Sequence, residues 1–198
     1  NLGARSLKKS LDLNDQEEVN NFIESLSSEG GIHTLAYAAG PVVPQIHLSK
    51  ISPSLFSEHL NSEVNAFFNS VIAALPLIRQ QQGSIIAVTS AATNKYPIKD
   101  GLSASPKAAI EVLVKGLAKE EGRYGVRANA VGPGMLTDGM AATLIDRGEY
   151  SQSDLDIATA NIPLSKYGHA IDVAEAVCFL ASPKAQYITC LLYTSPSP

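Results

Sequence analysis

The segment from Gly83 to Lys107 constrains the fold more than any other part of the sequence. It begins with a continuous apolar run, Ile85 to Val88, that ends in two hydroxyl side chains, Thr89 and Ser90. An uninterrupted apolar run of this length is typical of a strand that is buried on both faces. Ligands of open α/β sheets bind outside the carboxyl ends of the strands, so the sequence predicts that Ser90 lies at a functional edge.

A helix that carries further chemistry follows this strand. Ser103 stands thirteen positions after Ser90, and Lys107 stands four positions after Ser103. The helix predicted over residues 103–121 is apolar on more than one side, which is typical of a helix that is buried on two sides. Pro106 immediately precedes the lysine and is expected in the first helical turn, where a missing N–H costs little.

Composition excludes several classes of function. The chain has 198 residues, of which 45% are hydrophobic, so one domain with a sizeable core is expected. The net charge of −4 argues against a nucleic-acid-binding surface. Two cysteines and four scattered histidines indicate neither a disulfide framework nor a metal site. With no signal-peptide core and no apolar run of about 20 residues, the sequence favours a cytoplasmic protein without a membrane partner.

The order of these motifs resembles the short-chain dehydrogenase/reductase family. In that family a strand ends in a catalytic serine, and a tyrosine stands four positions before a lysine; Ser90 and Lys107 match, whereas the tyrosine position holds Ser103. The family's Asn-x-Val-x-Pro-Gly pattern is met at residues 129–134, and half of its Asn-Asn-Ala-Gly turn is met at residues 39–40. The resemblance implies an α/β fold with a Rossmann-like doubly wound parallel sheet.

The resemblance also implies a set of site residues. The implied catalytic residues are Asn65, Ser90, Ser103 and Lys107. The implied residues around an NAD or NADP cofactor are Asp12, Ala38, Ala39, Gly40, Lys107, Pro133, Gly134 and Thr137. In the family's mechanism the serine stabilises the reacting oxygen, the lysine lowers the tyrosine pKa and holds the ribose, and the asparagine holds a water in the proton relay. Asp12 is equally well interpreted as a polar residue at the end of a strand.

Both ends of the chain depart from the family pattern. A complete member opens with a strand, a Gly-x-x-x-Gly-x-Gly turn and a helix, and no such glycine spacing occurs here. The sheet is therefore expected to be incomplete, without the first strand, the glycine-rich turn and the second strand. Residues 1–189 are interpreted as a partial domain, and residues 190–198 as a non-native tail. The substrate-facing flap is predicted over residues 138–166.

Several local elements are predicted from pattern alone. Residues 4–13 are predicted as a strand, followed by a helix that Asn14 caps. A last helix over residues 173–180 is predicted to be capped by Asp172, and a last strand to begin at residues 187–189. The resemblance further implies that two helices pack against a second subunit: the helix predicted over residues 103–121 and the helix that precedes Gly83. This favours a homodimer or homotetramer.

Three functional hypotheses remain open from the sequence. The first is an NAD(P)-dependent oxidoreductase acting on a small carbonyl or alcohol substrate, whose acid is water, the substrate or another tyrosine. Tyr96 is the nearby candidate, although its place on the loop favours a tyrosine that packs on the surface without a role. The second is a degenerate family member that binds nucleotide or a partner without redox turnover. The third is a non-redox step on a bound acyl or sugar substrate.

Overall fold

The computed structural model describes residues 6–148 and 150–194, which form an α/β fold around one parallel sheet. Its strands, in their order across the sheet, are β1 (Thr34–Tyr37), β2 (Ser84–Val88), β3 (Arg127–Gly132) and β4 (Leu192–Thr194). Its helices are α1 (Gln16–Ser25), α2 (Pro53–Gln81), α3 (Gly101–Glu121), α4 (Met140–Asp146), α5 (Gln152–Asn161) and α6 (Ala170–Ala181). The predicted parallel α/β class is confirmed.

Helices cover both faces of this sheet, which explains the apolar run of β2. On one face, Ile85 and Ala87 belong to a core that includes side chains of α1, α2 and α3. On the other face, Ile86 packs with Val131 and with Leu180 of α6. Consecutive β2 side chains therefore enter different cores, and no position on this strand is left for a polar, solvent-facing residue.

The long helix α2 begins and ends where its sequence dictates. Ser52 precedes it and accepts a hydrogen bond from the Leu55 N–H at 3.2 Å, and Pro53 occupies the first helical position, where its missing N–H is harmless. After the helix, Gly83 allows the chain to pass directly against the His33 carbonyl, because a Cβ at this position would overlap that oxygen. This close approach sets the start of β2 beside β1.

The buried side chain of Asn129 in β3 holds the C-terminal segment against the sheet. Its amide nitrogen donates to the Ile188 carbonyl at 3.0 Å, and its oxygen accepts from the Leu191 N–H at 3.0 Å. Asn129 is fully buried, so these two bonds satisfy groups that have no access to water. The side chain thus acts like a peptide unit between β3 and the segment that leads into β4.

The prediction for the N-terminal segment was wrong in two respects. Of the strand predicted over residues 4–13, the part from residue 6 onward forms no strand, and residues 4 and 5 lie outside the described residues. A strand needs a hydrogen-bonding neighbour, and within the described residues β1 pairs with β2 alone. The cap of α1 is Asp15, whose carboxylate accepts from the Glu18 N–H at 3.0 Å, and Asn14 lies one residue too early.

Two further positions differ from the sequence prediction. Pro106 lies five residues inside α3 because the helix begins at Gly101, so the bond that its nitrogen would make to the Leu102 carbonyl is missing. The last helix begins earlier than predicted. His169 is its cap, and Asp172 is the third helical residue, whose carboxylate accepts from the His169 N–H at 2.8 Å.

The last strand also begins later than predicted. Residues 187–189 form no strand, and β4 comprises Leu192–Thr194. Residues 188–191 are instead held by the Asn129 side chain and by a bond from the Cys190 N–H to the Ala128 carbonyl at 2.8 Å. Three residues of the segment predicted as a non-native tail therefore pair with β3. Residues 195–198 lie outside the described residues, and the proposed origin of the tail stays a prediction.

Candidate functional site

The candidate site lies at the carboxyl edge of the sheet, where three strand ends are level with one another. The β1–β2 register aligns Tyr37 with Ala87. Gly40 and Ser90, each three residues further along its own chain segment, therefore follow the two strands at the same level. The β2–β3 register places Pro133 at the same level as Ser90. Residues that are far apart in sequence are thereby brought to one edge, as predicted for a parallel sheet.

Ser90 turns out of β2 at this edge and contacts the end of β3. Its Oγ accepts from the Ala92 N–H at 3.1 Å, and the following residue, Ala91, donates its N–H to the Pro133 carbonyl at 2.9 Å. Ser90 is half-buried, and no group in residues 6–148 and 150–194 accepts its hydroxyl proton. The hydroxyl is therefore positioned to donate a hydrogen bond to a bound oxygen atom.

Lys107 is a buried cation that α3 carries to the same edge. Its side chain is 11% exposed, and its Nζ lies 3.1 Å from Oε2 of Glu63 on α2. The Glu63 side chain is 1% exposed, so both charges are largely removed from water. The separation makes an ion pair, although the geometry at Oε2 falls short of a directed hydrogen bond. A buried charge needs such a partner, because an isolated one is costly to desolvate.

Small residues at the end of β1 leave space above this ion pair. Ala38, Ala39 and Gly40 are exposed. A Cβ at Gly40 would lie 3.4 Å from Lys107 Nζ and 3.4 Å from Glu63 Oε1. A larger side chain at Gly40 would therefore cover the ammonium, whereas glycine leaves it open to a flat ligand that crosses the strand ends.

Two further ionisable groups are affected by Glu63. Burial raises the pKa of Tyr37 to about 12, and the negative charge of Glu63 raises it as well. Burial also raises the pKa of Asp100, at the start of α3, to about 6; a hydrogen bond from Gln45 opposes this shift and the Glu63 charge adds to it. The carboxyl group of Asp100 therefore exchanges its proton closer to neutral pH than an ordinary aspartate.

Ser103 lies in the first turn of α3 between Asp100 and Lys107. It is half-buried, and its N–H donates to the Asp100 carbonyl at 3.1 Å. Tyr96 is 48% exposed on the preceding loop. A Cβ at Gly101 would lie 3.2 Å from the Tyr96 hydroxyl, so this phenol lies over the first turn of the same helix.

Three predicted site residues are exposed. Asn65 lies on the exposed side of α2, two residues after Glu63. Asp12 is exposed before α1, and its carboxylate accepts from the Asn14 N–H at 2.9 Å. Thr137 is exposed beyond β3, and its hydroxyl lies 2.7 Å from His169 Nδ1. The structure therefore places Gly40 next to Lys107 and aligns Ser90 and Pro133 at the same edge of the sheet.

Glu63 is the site residue that the sequence analysis missed, and the helical period of α2 contains the signal. The buried positions of this helix are Glu63, Ala66, Phe67, Ser70, Val71, Ala74, Leu75 and Ile78. They recur at intervals of three and four residues, as one face of a helix does. Continuing this face backwards from Phe67 leads to Glu63 and bypasses Asn65.

A mostly apolar cavity of about 320 Å³ lies beyond the end of β3. Its walls include Pro133 and Leu136 after the strand, Ile162 after α5, Tyr167, and Val173 of α6. The segment predicted as the flap, residues 138–166, contains α4 and α5, and its last part lines the cavity with Ile162, Leu164 and Lys166. The space adjoins the strand end that carries Pro133, where it offers apolar contact surface to a small molecule.

The described residues form neither a metal-binding cluster nor a membrane-spanning helix. Within residues 6–148 and 150–194, no three histidine, cysteine, aspartate or glutamate side chains are grouped so as to hold a metal ion. In the same part of the chain, no helix combines the length and apolar character required to cross a membrane.

Comparisons with known proteins agree with this architecture. A family model described as enoyl-(acyl carrier protein) reductase matches residues 1–192. The peroxisomal 2,4-dienoyl-CoA reductase of Saccharomyces cerevisiae is 30% identical over 182 residues, which cover 90% of this chain and 60% of that protein. The 3alpha-hydroxysteroid dehydrogenase of Mediterraneibacter gnavus is 33% identical over 180 residues, which cover 89% and 69%.

Solved structures show the same likeness. ElxO with NADP bound superposes with a TM-score of 0.84 at 27% sequence identity, over 94% of this chain and 75% of that one. The chain spans 60% of the length of the yeast reductase, and between 69% and 75% of the other two proteins.

Proposed function

Because this chain belongs to the short-chain dehydrogenase/reductase family, within the group described as enoyl-(acyl carrier protein) reductase, we propose that the intact protein is an NAD(P)-dependent oxidoreductase. The reaction is hydride transfer between a nicotinamide and a carbonyl or alcohol carbon. One observation carries the proposal: a buried lysine ammonium lies next to Gly40, at the edge of the sheet where β2 and β3 end in Ser90 and Pro133.

The residues present fit the nicotinamide–ribose end of NAD or NADP. The opening above Gly40, which a larger side chain would cover, leaves Lys107 Nζ accessible to ribose hydroxyl groups. Ala38 and Ala39 would lie beneath the cofactor, and Pro133, Gly134 and Thr137 beside the nicotinamide, as the family resemblance implies. Asp12 would lie near the adenine. When bound, the cofactor supplies or accepts the hydride. ElxO, at 27% identity, has NADP bound in its solved structure, which supports this assignment.

The chain's own residues bind and polarise the substrate oxygen. The Ser90 hydroxyl donates a hydrogen bond to that oxygen, which stabilises the negative charge that develops there. Lys107 holds the ribose and contributes positive charge at the edge of the sheet. Ser103 does not replace the tyrosine, because an alkyl hydroxyl is far less acidic than a phenol. The proton on oxygen then comes from water, from the substrate or from Tyr96.

The serine at position 103, where the family has a tyrosine, also favours a second function. Ser103 removes the positioned acid, which usually contributes about 10²–10⁴ to the rate. A family member without it retains a place to bind the nucleotide but loses most turnover. The alternative is therefore a protein that binds nucleotide or a partner without redox turnover.

The substitution Ser103→Tyr distinguishes the two functions. An oxidoreductase that lacks only its acid should gain about 10²-fold or more in NAD(P)H-dependent carbonyl reduction, measured from the loss of nicotinamide absorbance. Ser105→Tyr, two positions along the same helix, is the matched control. Nucleotide binding without turnover in either variant would favour the second function. Absence of nucleotide binding in the unmodified protein and in both variants would contradict the oxidoreductase function and the nucleotide-binding form of the second function.

We also propose that α2 and α3 form a subunit interface in the intact protein. Phe68 and Ile72 of α2 are 49% and 41% exposed, and Val112 of α3 is 65% exposed. These apolar side chains gain burial if a second copy packs on the two helices. Val112→Asp should then shift the molecular mass measured by light scattering towards the monomer, whereas an unchanged mass would contradict the interface.

A further inference from the structure

Glu63 contacts two separate parts of the fold, α3 and the end of β1. Its carboxylate faces the Lys107 ammonium of α3 at 3.1 Å. Its backbone carbonyl accepts a hydrogen bond from the Tyr37 hydroxyl, at the end of β1, at 3.4 Å. Its Oε1 lies beneath Gly40, where an added Cβ would approach to 3.4 Å. One residue of α2 therefore connects the helix that carries the lysine with the strand end that the lysine faces.

This arrangement restricts where the lysine ammonium lies. A lysine side chain has four rotatable carbon–carbon bonds, and holding it in one conformation costs conformational entropy. The buried carboxylate opposes this cost, since the ammonium cannot move away without leaving two desolvated charges unpaired. The exposed fractions of 11% for Lys107 and 1% for Glu63 leave little water to replace either partner.

We propose that Glu63 is a positioning residue, whose carboxylate holds the Lys107 ammonium against the open strand end at Gly40. The inference rests on the proposed oxidoreductase function. It assigns to Glu63 a role at the lysine that is separate from the one implied for Asn65, which is to hold a water in the proton relay. The Lys107 ammonium and the Glu63 carboxylate then form an ion pair whose net charge is zero.

Two neighbouring groups report on this charge independently of activity. The Glu63 charge contributes to the raised pKa of Tyr37 and to the raised pKa of Asp100. Two groups act on the Asp100 carboxyl: Gln45 from the loop after β1, which donates a hydrogen bond to it, and Glu63 from α2, whose negative charge raises its pKa. Removing the Glu63 charge should therefore lower both pKa values, although burial still keeps each above its ordinary range.

The test compares Glu63→Gln, Glu63→Asp and Glu58→Gln. Glu58 is an exposed glutamate on the same helix and gives the matched control. Glu63→Gln should reduce kcat/KM by about 10²-fold through loss of lysine placement, with the cofactor KM raised as well. Glu63→Asp, which keeps the charge but withdraws it by one methylene, should recover part of this loss. Glu58→Gln should match the unmodified protein.

NMR titration of the Asp100 carboxyl gives the second readout. The pKa should fall from about 6 in Glu63→Gln and remain raised in Glu63→Asp. A merely structural role would lower the melting temperature without changing kcat/KM per folded molecule, and that result would overturn the proposal. If Glu63→Gln does not fold, full activity of Glu63→Asp would overturn it equally well.

Failure of the proposed function remains distinguishable from failure of this inference. If neither the unmodified protein nor Ser103→Tyr turns over a nicotinamide cofactor, the oxidoreductase function is wrong, and the positioning role in that reaction is wrong with it. If Ser103→Tyr is active and Glu63→Gln in that background is equally active, only the positioning role is wrong.

Discussion

The buried pair between Lys107 and Glu63 gives the sharpest prediction for stability. The substitution Lys107→Met keeps the length of the side chain but removes its charge, and it leaves the Glu63 carboxylate without a cation. Glu63 is 2% exposed, so water cannot replace the lost partner. Removing one member of a buried pair typically costs about 3–5 kcal/mol of the free energy of unfolding.

Urea denaturation measures this cost directly. With a slope near 2 kcal/mol per M, a loss of about 3–5 kcal/mol lowers the unfolding midpoint by about 1.5–2.5 M. The double variant Glu63→Met/Lys107→Met removes both charges and should recover most of this loss, because apolar side chains of similar volume can replace a buried pair. Lys115→Met, at an exposed position of α3, is the control.

If Lys107→Met behaves like Lys115→Met, with a midpoint shift below about 0.5 M, the predicted cost of leaving the Glu63 carboxylate unpaired is contradicted. That result would mean that the carboxylate finds water or protonates at little cost. A double variant that is no more stable than Lys107→Met would contradict the coupling between the two charges, since independent sites add without recovery.

Further predictions concern backbone packing and pH. Gly83→Ala should lower the free energy of unfolding by several kcal/mol, measured in urea, because its Cβ would overlap the His33 carbonyl; Gly122→Ala, where no atom lies within 4 Å, should be neutral or stabilising by about 0.4–1 kcal/mol. Asp100 has a folded-state pKa raised to about 6 from 3.8, so its contribution to stability is present below about pH 4 and is lost as the pH rises through 6. Asp100→Asn should therefore be more stable than the unmodified protein at pH 7, with the difference shrinking towards pH 4; a constant difference across this range would show that Asp100 is not the titrating group.

The sequence predicted the central part of the fold well. β2 is apolar without alternation because both of its faces are covered, and Ser52 with Pro53 marks the start of α2 without ambiguity. These signals are local and strong. Pairing of β2 with its neighbours then follows from the parallel arrangement, which brings Gly40, Ser90 and Pro133 to one level.

The predicted and observed elements differ where tertiary contacts decide whether a segment forms a strand or where a helix begins. Residues 6–13 carry a strand-like pattern but have no neighbouring strand among the described residues. Leu192–Thr194 have no distinctive pattern but pair with β3, since Asn129 fixes the chain just before them. Helix starts also differ from the prediction by one to three residues, because His169 and Asp15 compete with equally plausible caps nearby.

The site was only partly predictable for a related reason. Motif order led to Ser90, Ser103 and Lys107, and the family resemblance implied that Asn65 holds a water in the proton relay, which stays a prediction. The structure adds Glu63 beside the lysine, since the buried face of α2 recurs through Phe67 and includes position 63. A glutamate on a mostly apolar helix face indicates that a buried cation lies opposite.

The bridge that Asn129 makes to the C-terminal segment has a consequence for the order of folding. Its two bonds join residues that are 59 and 62 positions apart in the chain. Closing a loop of that size costs about 1.6 kcal/mol more than closing one of about 10 residues. β2 and the two long helices that flank it in the chain are connected by shorter segments, so they are expected to associate first, with β4 docking after the rate-limiting step. Asn129→Ala should then accelerate unfolding while leaving the refolding rate nearly unchanged, which is the kinetic signature of a contact that forms late.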